Sequence, residues 1–441
     1  MITFVAFIFV LSLLVFVHEL GHFVVAKLSG ITVERFSIGL PPKLFGVRFG
    51  ETDYCISMIP FGGYVKMAGQ DDFDYDEDEE EEIGPHDYRG KPTIVKMAVL
   101  VAGSLMNLIT AFVIFAFLFM HEGVPYQTTK IGYVAEDSIA EKLGFALGDE
   151  VIGVNGAEVE SLEQAFIPLY TESDTDILIK NKAGERTITI ADRLKENTDF
   201  GIMPYYESRI GRTVEDSPAA MAGIVPDDLI VAINGTDIAG GWIHMTKIIE
   251  ANPDTEMTFT VERNGAMVDL PVTIGSEEEA QSDGEMKLVG KVGVAIKVTT
   301  LPVGPVEAVA EAGKRTVYLS VQTLSFFGKL ISGRVSPKLL GGPVLIAQIA
   351  GESAKSGLTT LLGFTAFISI NLGVLNLLPF PVLDGGHIAI LGVEAIVRKK
   401  LSVRIRMGIQ QAGSIILLLF MIYVTFNDLL RFDKISSLFG G

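Results

Sequence analysis

Apolar residues gather into four long stretches of this chain. Residues 2–17 carry no charge, and the first stretch continues from Ile2 to Leu28. The others cover Ile94–Met120, Gly357–Leu378 and Gly408–Phe426. Each is long enough to cross about 30 Å of hydrocarbon at 1.5 Å per residue. Lipid offers the backbone no hydrogen bonds, so such stretches predict four transmembrane helices. No Lys or Arg precedes the first apolar core and no small-residue cleavage site follows it, which disfavours a cleaved signal peptide. Between the second and third stretches the pattern is that of ordinary globular sequence. The expected architecture is a polytopic α-helical membrane protein with a large inserted domain.

Composition sharpens this in three respects. The chain has 441 residues, of which 49% are hydrophobic, and that excess sits in the four stretches. Its net charge of −19 excludes a nucleic-acid-binding role. More than half of that charge comes from residues 71–82, DDFDYDEDEEEE, a run that reads as a solvated loop. Cys55 is the only cysteine, so an internal disulfide and a multi-cysteine metal cluster are both excluded.

Basic residues orient the spans. The loop RKKLSVRIR (398–406) holds five cationic residues in nine, which assigns it to the cytoplasm. Counting back, residues 29–93 lie inside, and residues 121–356 and both termini lie outside. Lys27, Arg35, Lys43, Arg48, Lys66, Arg89, Lys91 and Lys96, in or beside the 29–93 loop, agree with that orientation.

The insert repeats itself. IGYVAEDSIAEKLGFALGDEVIGVNG (131–156) aligns without gaps to IGRTVEDSPAAMAGIVPDDLIVAING (210–235), with ten identities in 26 positions. Each copy predicts a strand, a short helix, an Asp turn and a strand closed by Asn-Gly. The pair resembles tandem PDZ domains in the permuted arrangement of bacterial envelope proteases. That resemblance implies extended peptides paired to a sheet edge, with Gly201 in FGIM and Gly293 in VGVA beside the bound carboxylate. A closed groove that only excludes by size is the alternative.

Chemistry concentrates inside the spans. His18, Glu19, Leu20, Gly21 and His22 form H-E-x-x-H in the first of them. Residues i and i+4 share a helix face, so both imidazoles can ligate one ion, with Glu19 about 100° around as general base. Histidines bonded to neighbouring helices are the simpler alternative, although an unpaired ionisable group in hydrocarbon is costly. Catalytic zinc takes three protein ligands and leaves one position open. The sequence NLGVLNLLPFPVLDGGH (371–387) offers the third: Asp384 follows Pro379 and Pro381, which break the helix, and precedes Gly385 and Gly386. His387 is not needed as a ligand.

HExxH in the first span and Asn-x-x-Pro-x-Pro-x-Leu-Asp-Gly-Gly in the third resemble the site-2 protease family of intramembrane zinc metalloproteases. Four spans with two PDZ domains between the second and third resemble its Gram-negative branch, and the likeness covers essentially the whole chain. It implies one Zn2+ on His18, His22 and Asp384, Glu19 as general base, and Asn376 in contact with substrate or transition state. YCISMIPFGGYVKM (54–67) resembles the family's membrane-reentrant β-hairpin, with Gly62 and Gly63 beside a strand-added substrate. Pro41 in IGLPP departs from the Gly-x-Gly often found there.

The expected division is therefore as follows. Residues 1–28 form the HExxH span; residues 29–93 form a cytoplasmic-side loop with the hairpin near 40–69; residues 94–120 form the second span. Residues 125–207 and 208–300 are the two PDZ domains, and residues 301–356 an amphipathic helical segment lying on the membrane, on the PDZ pair or packed plainly against the core. The third span region is 357–397 and the fourth span 407–428. The resemblance implies an endopeptidase of a bacterial inner membrane, with periplasmic termini and PDZ domains and an active site toward the cytoplasmic half. Its expected substrates are single-span membrane proteins already trimmed outside, such as an anti-sigma factor, and signal-peptide remnants, and its other partner is the lipid bilayer. A non-catalytic PDZ adaptor and a metal transporter are the two other classes.

Overall fold

The computed structural model describes residues 2–69, 84–126, 128–195, 198, 200–280, 286–337 and 340–439. The acidic run 71–82 lies outside the described residues. Two compact units emerge, one built from the chain's two ends and one from residues 125–301.

The first unit is a helical bundle. Among the described residues, four helices are long and apolar enough to cross a membrane: Ile2–Leu28, Thr93–Glu122, Leu358–Asn376 and Val403–Leu430. The fourth begins five residues earlier than the hydropathy pattern suggests. Its first turn contains Arg406, whose guanidinium bonds Glu394 Oε1 at 2.6 Å, so the helix extends into the basic segment. Buried positions on the first helix fall at Ala6, Val10, Leu14, Val17, His18, Gly21, His22 and Ala26, one helical stripe. Along its N-terminal half that stripe meets Ala350 and Leu361.

Two further helices complete the bundle. Pro305–Ile331 sets Ala308 and Ala312 against Ala111, Phe115 and Phe119 of the second span, and its Thr323 donates to Asn371 of the third. It therefore packs along the spans, which is the core-packing alternative of the sequence reading. Pro343–Ser356 has no capping side chain of its own at Gly342. Asp428, from the last helix, accepts from the Gly342 and Leu345 N–H groups at 3.0 Å each. A buried carboxylate at a helix N-terminus satisfies orphan donors and the helix dipole together.

The loop after the first span is a folded sheet that begins well before residue 40. Strands Val33–Phe49 and Thr52–Met67 each bend in the middle, giving four segments. Residues 33–38 pair with 63–67 on one side, and on the other Arg35 to Ile38 lie against Asp53 to Ile56 with both numbers rising. Residues 43–49 close the far edge against 52–57. Gly39 (φ +93) and Gly62 (φ +134) stand at the two bends. The segment 33–38 is central because Val33 and Phe36 fill a core with Ala26, Val65 and Val99, so the sheet is wider than a hairpin confined to 40–69.

The second unit carries the repeat into three dimensions. Strands 157–158, 150–154, 175–181 and 184–190 form one four-stranded sheet; 236–237, 229–233, 256–263 and 266–273 form its counterpart in the same order. Short helices follow Ser138 and Ser217, whose hydroxyls accept from Glu141 N and Ala220 N. Asn155 and Asn234 both have φ +49 in their Asn-Gly turns, and each side chain accepts the N–H of a neighbouring strand at 2.8 Å. Buried Asp149 binds Arg186, and buried Asp228 binds Arg263. One device is built twice.

Burial alone would raise the Asp228 carboxyl, but the Arg263 guanidinium and the Val225 N–H outweigh it and hold it below the usual carboxylate range. A depressed folded-state pKa stabilises above the unfolded value near pH 4, and that contribution vanishes as pH falls through the folded value. Arg263→Met is therefore expected to raise the pH of acid unfolding in this lobe. The readout is fluorescence of Trp242, the chain's single tryptophan, which packs on the lobe's core. Asp428→Ala is expected to cost about 1–2 kcal/mol, the value of a lost helix cap, measured by thermal unfolding in detergent.

Candidate metal centre

Three elements of the helical unit bring the candidate chemistry together. The first helix presents His18 and His22 one turn apart on its buried stripe. The second helix passes so close that a Cβ on Gly21 would stand 2.2 Å from the Ala102 carbonyl oxygen, and one on Gly103 only 2.4 Å from His22 Nε2. Any side chain at Gly103 would occupy the space in front of the imidazoles. The third element is the break after the third span. Its helix ends at Asn376, the chain turns through residues 377–383, and a new helix, Asp384–Val397, starts on Asp384 itself.

That turn explains the Asp-Gly-Gly sequence. A Cβ on Gly385 would lie 2.2 Å from Leu378 O, and one on Gly386 would lie 2.2 Å from Phe380 O. The new helix therefore starts flush against the backbone it has just left. Val382 takes φ +83, a conformation that β-branched residues avoid and that tight functional turns sustain.

The geometry that results is compact. Asp384 Oδ2 lies 3.2 Å from His18 Nε2 and 3.5 Å from His22 Nε2, and the two Nε2 atoms are 3.2 Å apart. His22 Nδ1 donates to the Val99 carbonyl at 2.8 Å, which leaves its Nε2 with a lone pair. Asp384 Oδ2 is buried and makes no hydrogen bond. The electron pairs of His22 Nε2 and Asp384 Oδ2, facing each other at 3.5 Å, repel unless a cation lies between them. Ligands about 2.0–2.1 Å from a tetrahedral zinc sit about 3.3–3.4 Å apart, so the donor set and its spacing fit that ion on one face of a tetrahedron. Among the described residues, His18, His22 and Asp384 are the group of potential ligands within 4.8 Å of one another, and His387 is outside it.

The remaining sequence candidates divide. Asn376 joins the site, with its Nδ2 3.4 Å from His18 Nε2. Glu19 faces the sheet: the Val65 backbone lies beside its carboxylate, and a Cβ on Gly63 would lie 3.0 Å from Glu19 Cγ. Gly62 shapes the bend one residue earlier, so both hairpin glycines belong to the site's surroundings. Gly201 (φ +84) and Gly293 (φ +74) belong to the other unit, where a Cβ would strike the Ser138 or Ser217 side chain at 2.3 Å. Their conformation and packing alone require glycine.

Sequence reasoning passed over Gly103, the Val99 carbonyl and the role of Asn107. A glycine in an apolar span resembles ordinary helix packing, and a backbone carbonyl has no sequence signature at all. Asn107 was visible as the one strongly polar residue in the middle of the second span; its Nδ2 lies 3.3 Å from His18 Nδ1.

Comparison with known proteins finds a family and relatives that span nearly the whole chain. The profile of peptidase family M50 matches residues 6–420. A Neisseria meningitidis protein named for zinc metalloprotease activity is 34% identical over 452 residues, covering 97% of this chain and 99% of the relative. The regulator of sigma-E protease RseP is 34% identical in Salmonella typhimurium and 33% in Escherichia coli, each over 453 residues, 97% of this chain and 98% of the relative.

Gly103→Ala tests the close approach. It is expected to lower zinc affinity by on the order of tenfold or more, the usual effect of disturbing a metal's immediate surroundings, measured by chelator competition. Gly328→Ala, whose Cβ would meet nothing within 4 Å, should leave zinc binding unchanged.

Proposed function

This chain belongs to peptidase family M50 and is a zinc metalloprotease of the membrane; from that premise we propose that it cuts single-span membrane proteins at the site formed by His18, His22 and Asp384. The observation that carries the reading is the convergence of these three donors, at zinc spacing, among helices apolar enough to span a bilayer. Bound there, zinc supplies Lewis acidity, drawing electrons from a carbonyl and making water more acidic.

The chain's own residues do the rest. Glu19 takes the proton of the attacking water and passes it to the leaving amine. Until then its carboxylate lies beside Val65 at the edge of the folded sheet. Asn376 offers its amide to the developing oxyanion from beside His18. A helical substrate hides its peptide bonds from a nucleophile. Residues 63–67 form an outer strand of the sheet, alongside Glu19, so a substrate unwound there as an added strand presents its backbone to the base. Gly62 and Gly63 leave that approach unobstructed.

The relatives named as regulators of sigma-E support this reading of the substrate class: an anti-sigma factor trimmed beforehand on the periplasmic side, together with signal-peptide remnants. The two lobes of residues 125–207 and 208–300 act as a PDZ pair that admits short ectodomains, by size or by holding a new C-terminus near Gly201 and Gly293. The basic segment 398–406 faces the cytoplasm of an inner-membrane protein, which sets both termini in the periplasm and the site toward the cytoplasmic half.

Purified protein and its Glu19→Gln variant, incubated with a truncated single-span substrate, decide the matter. Cleavage by the wild type, abolished by chelator and lowered about 10²–10⁴-fold in Glu19→Gln with zinc content unchanged, is the expected result. Equal cleavage by the variant would remove Glu19 from the mechanism.

A further inference from the structure

Two imidazoles can share an ion through Nε2 only if each keeps its hydrogen on Nδ1. His22 meets that condition through the Val99 carbonyl. The corresponding neighbour of His18 is Asn107, whose carboxamide lies 3.3 Å from His18 Nδ1. Asn107 is fully buried in the second span, a costly position for an amide without a purpose.

The orientation of that amide decides what His18 can do. With Nδ2 toward His18, a donor confronts Nδ1 and drives the imidazole hydrogen onto Nε2, where it points into the site and occupies the pair a cation needs. The same orientation leaves Asn107 Oδ1 buried with no partner. The two ends of a carboxamide have the same shape, and the hydrogen-bond network determines which is which. Turned by half a rotation, Oδ1 accepts from His18 Nδ1–H, no existing bond of Oδ1 is lost, and Nε2 is free for metal. Ser104, three residues earlier on the same helix face, supplies a buried hydroxyl that also lacks a partner.

Asn107 is itself held in place. Its backbone carbonyl accepts from Ser369 Oγ at 2.7 Å, a bond from the third span that fixes the second helix at this level. The second span thus addresses both histidines, each on the ring nitrogen farther from Asp384.

We propose that Asn107 is a positioning residue that accepts the Nδ1 hydrogen of His18 and so keeps Nε2 in its metal-binding form. The inference rests on the reading of His18 as a zinc ligand. Its test uses the full chain in detergent, with zinc affinity measured by competition against a chromophoric chelator. Asn107→Leu, similar in size and unable to accept, should weaken zinc binding about 10–100-fold. Asn107→Asp, which can only accept, should bind zinc about as well as the wild type. A fall in Asn107→Asp to the level of Asn107→Leu overturns the proposal, because it makes the amide a donor or mere packing. Wild-type affinity in Asn107→Leu overturns it as well.

His18→Ala separates this outcome from the underlying assignment. Undiminished zinc affinity there removes His18 as a ligand, whereas its loss alongside wild-type binding in Asn107→Leu overturns the Asn107 inference alone. If the substituted chains do not fold, nitrogen-15 spectra of histidine-labelled, zinc-loaded wild type answer the question directly. A protonated Nδ1 and a metal-bound Nε2 on both site rings are expected, and a hydrogen on His18 Nε2 overturns the proposal.

Discussion

Hydrocarbon is intolerant of polar atoms, and the helical unit is organised around three that face one another. Two Nε2 atoms and a carboxylate oxygen without a hydrogen bond meet within 3.5 Å, and the lone pair of His22 Nε2 repels that oxygen in the absence of a cation. A zinc ion held there, as proposed, would convert the repulsion into a cross-link among the first span, the turn after the third and, through His22 and Val99, the second. The same ion would make the polar side chains tolerable where they are.

Close approach is the second requirement, and glycine meets it at each contact. Gly21 and Gly103 let two spans come together where the imidazoles project, and Gly385 and Gly386 let a helix restart against the chain that precedes it. With little apolar driving force between helices in lipid, such small-residue contacts also supply much of the packing. The folded sheet joins the arrangement through Gly63, which admits a strand to the side of Glu19.

The sequence displayed the parts of this fold that depend on periodicity or on unusual residue types. Four apolar runs marked the spans, the offset repeat marked the paired lobes, and His18, His22 and Asp384 stood out because ionisable groups are rare in such surroundings. What stayed hidden depends on partners distant in the chain. Nothing near residue 35 announces that one backbone segment pairs with both 53–56 and 63–67. Gly103 gains its meaning only from the ring it faces, and Asp428 only from a helix N-terminus 83–86 residues earlier. The segment 305–331 reads as merely amphipathic because its polar residues, Thr316 and Thr323, are the ones that turn inward.

The distance along the chain between the ligands has a consequence for biosynthesis. Asp384 is made 366 residues after His18, once the second span, both lobes and the third span have been synthesised. Until then a nascent chain holds the two imidazoles without the carboxylate that faces them in the folded protein. Asp384 sits where the third span has ended and the next helix docks back upon it, so the three side chains meet only when that turn has formed.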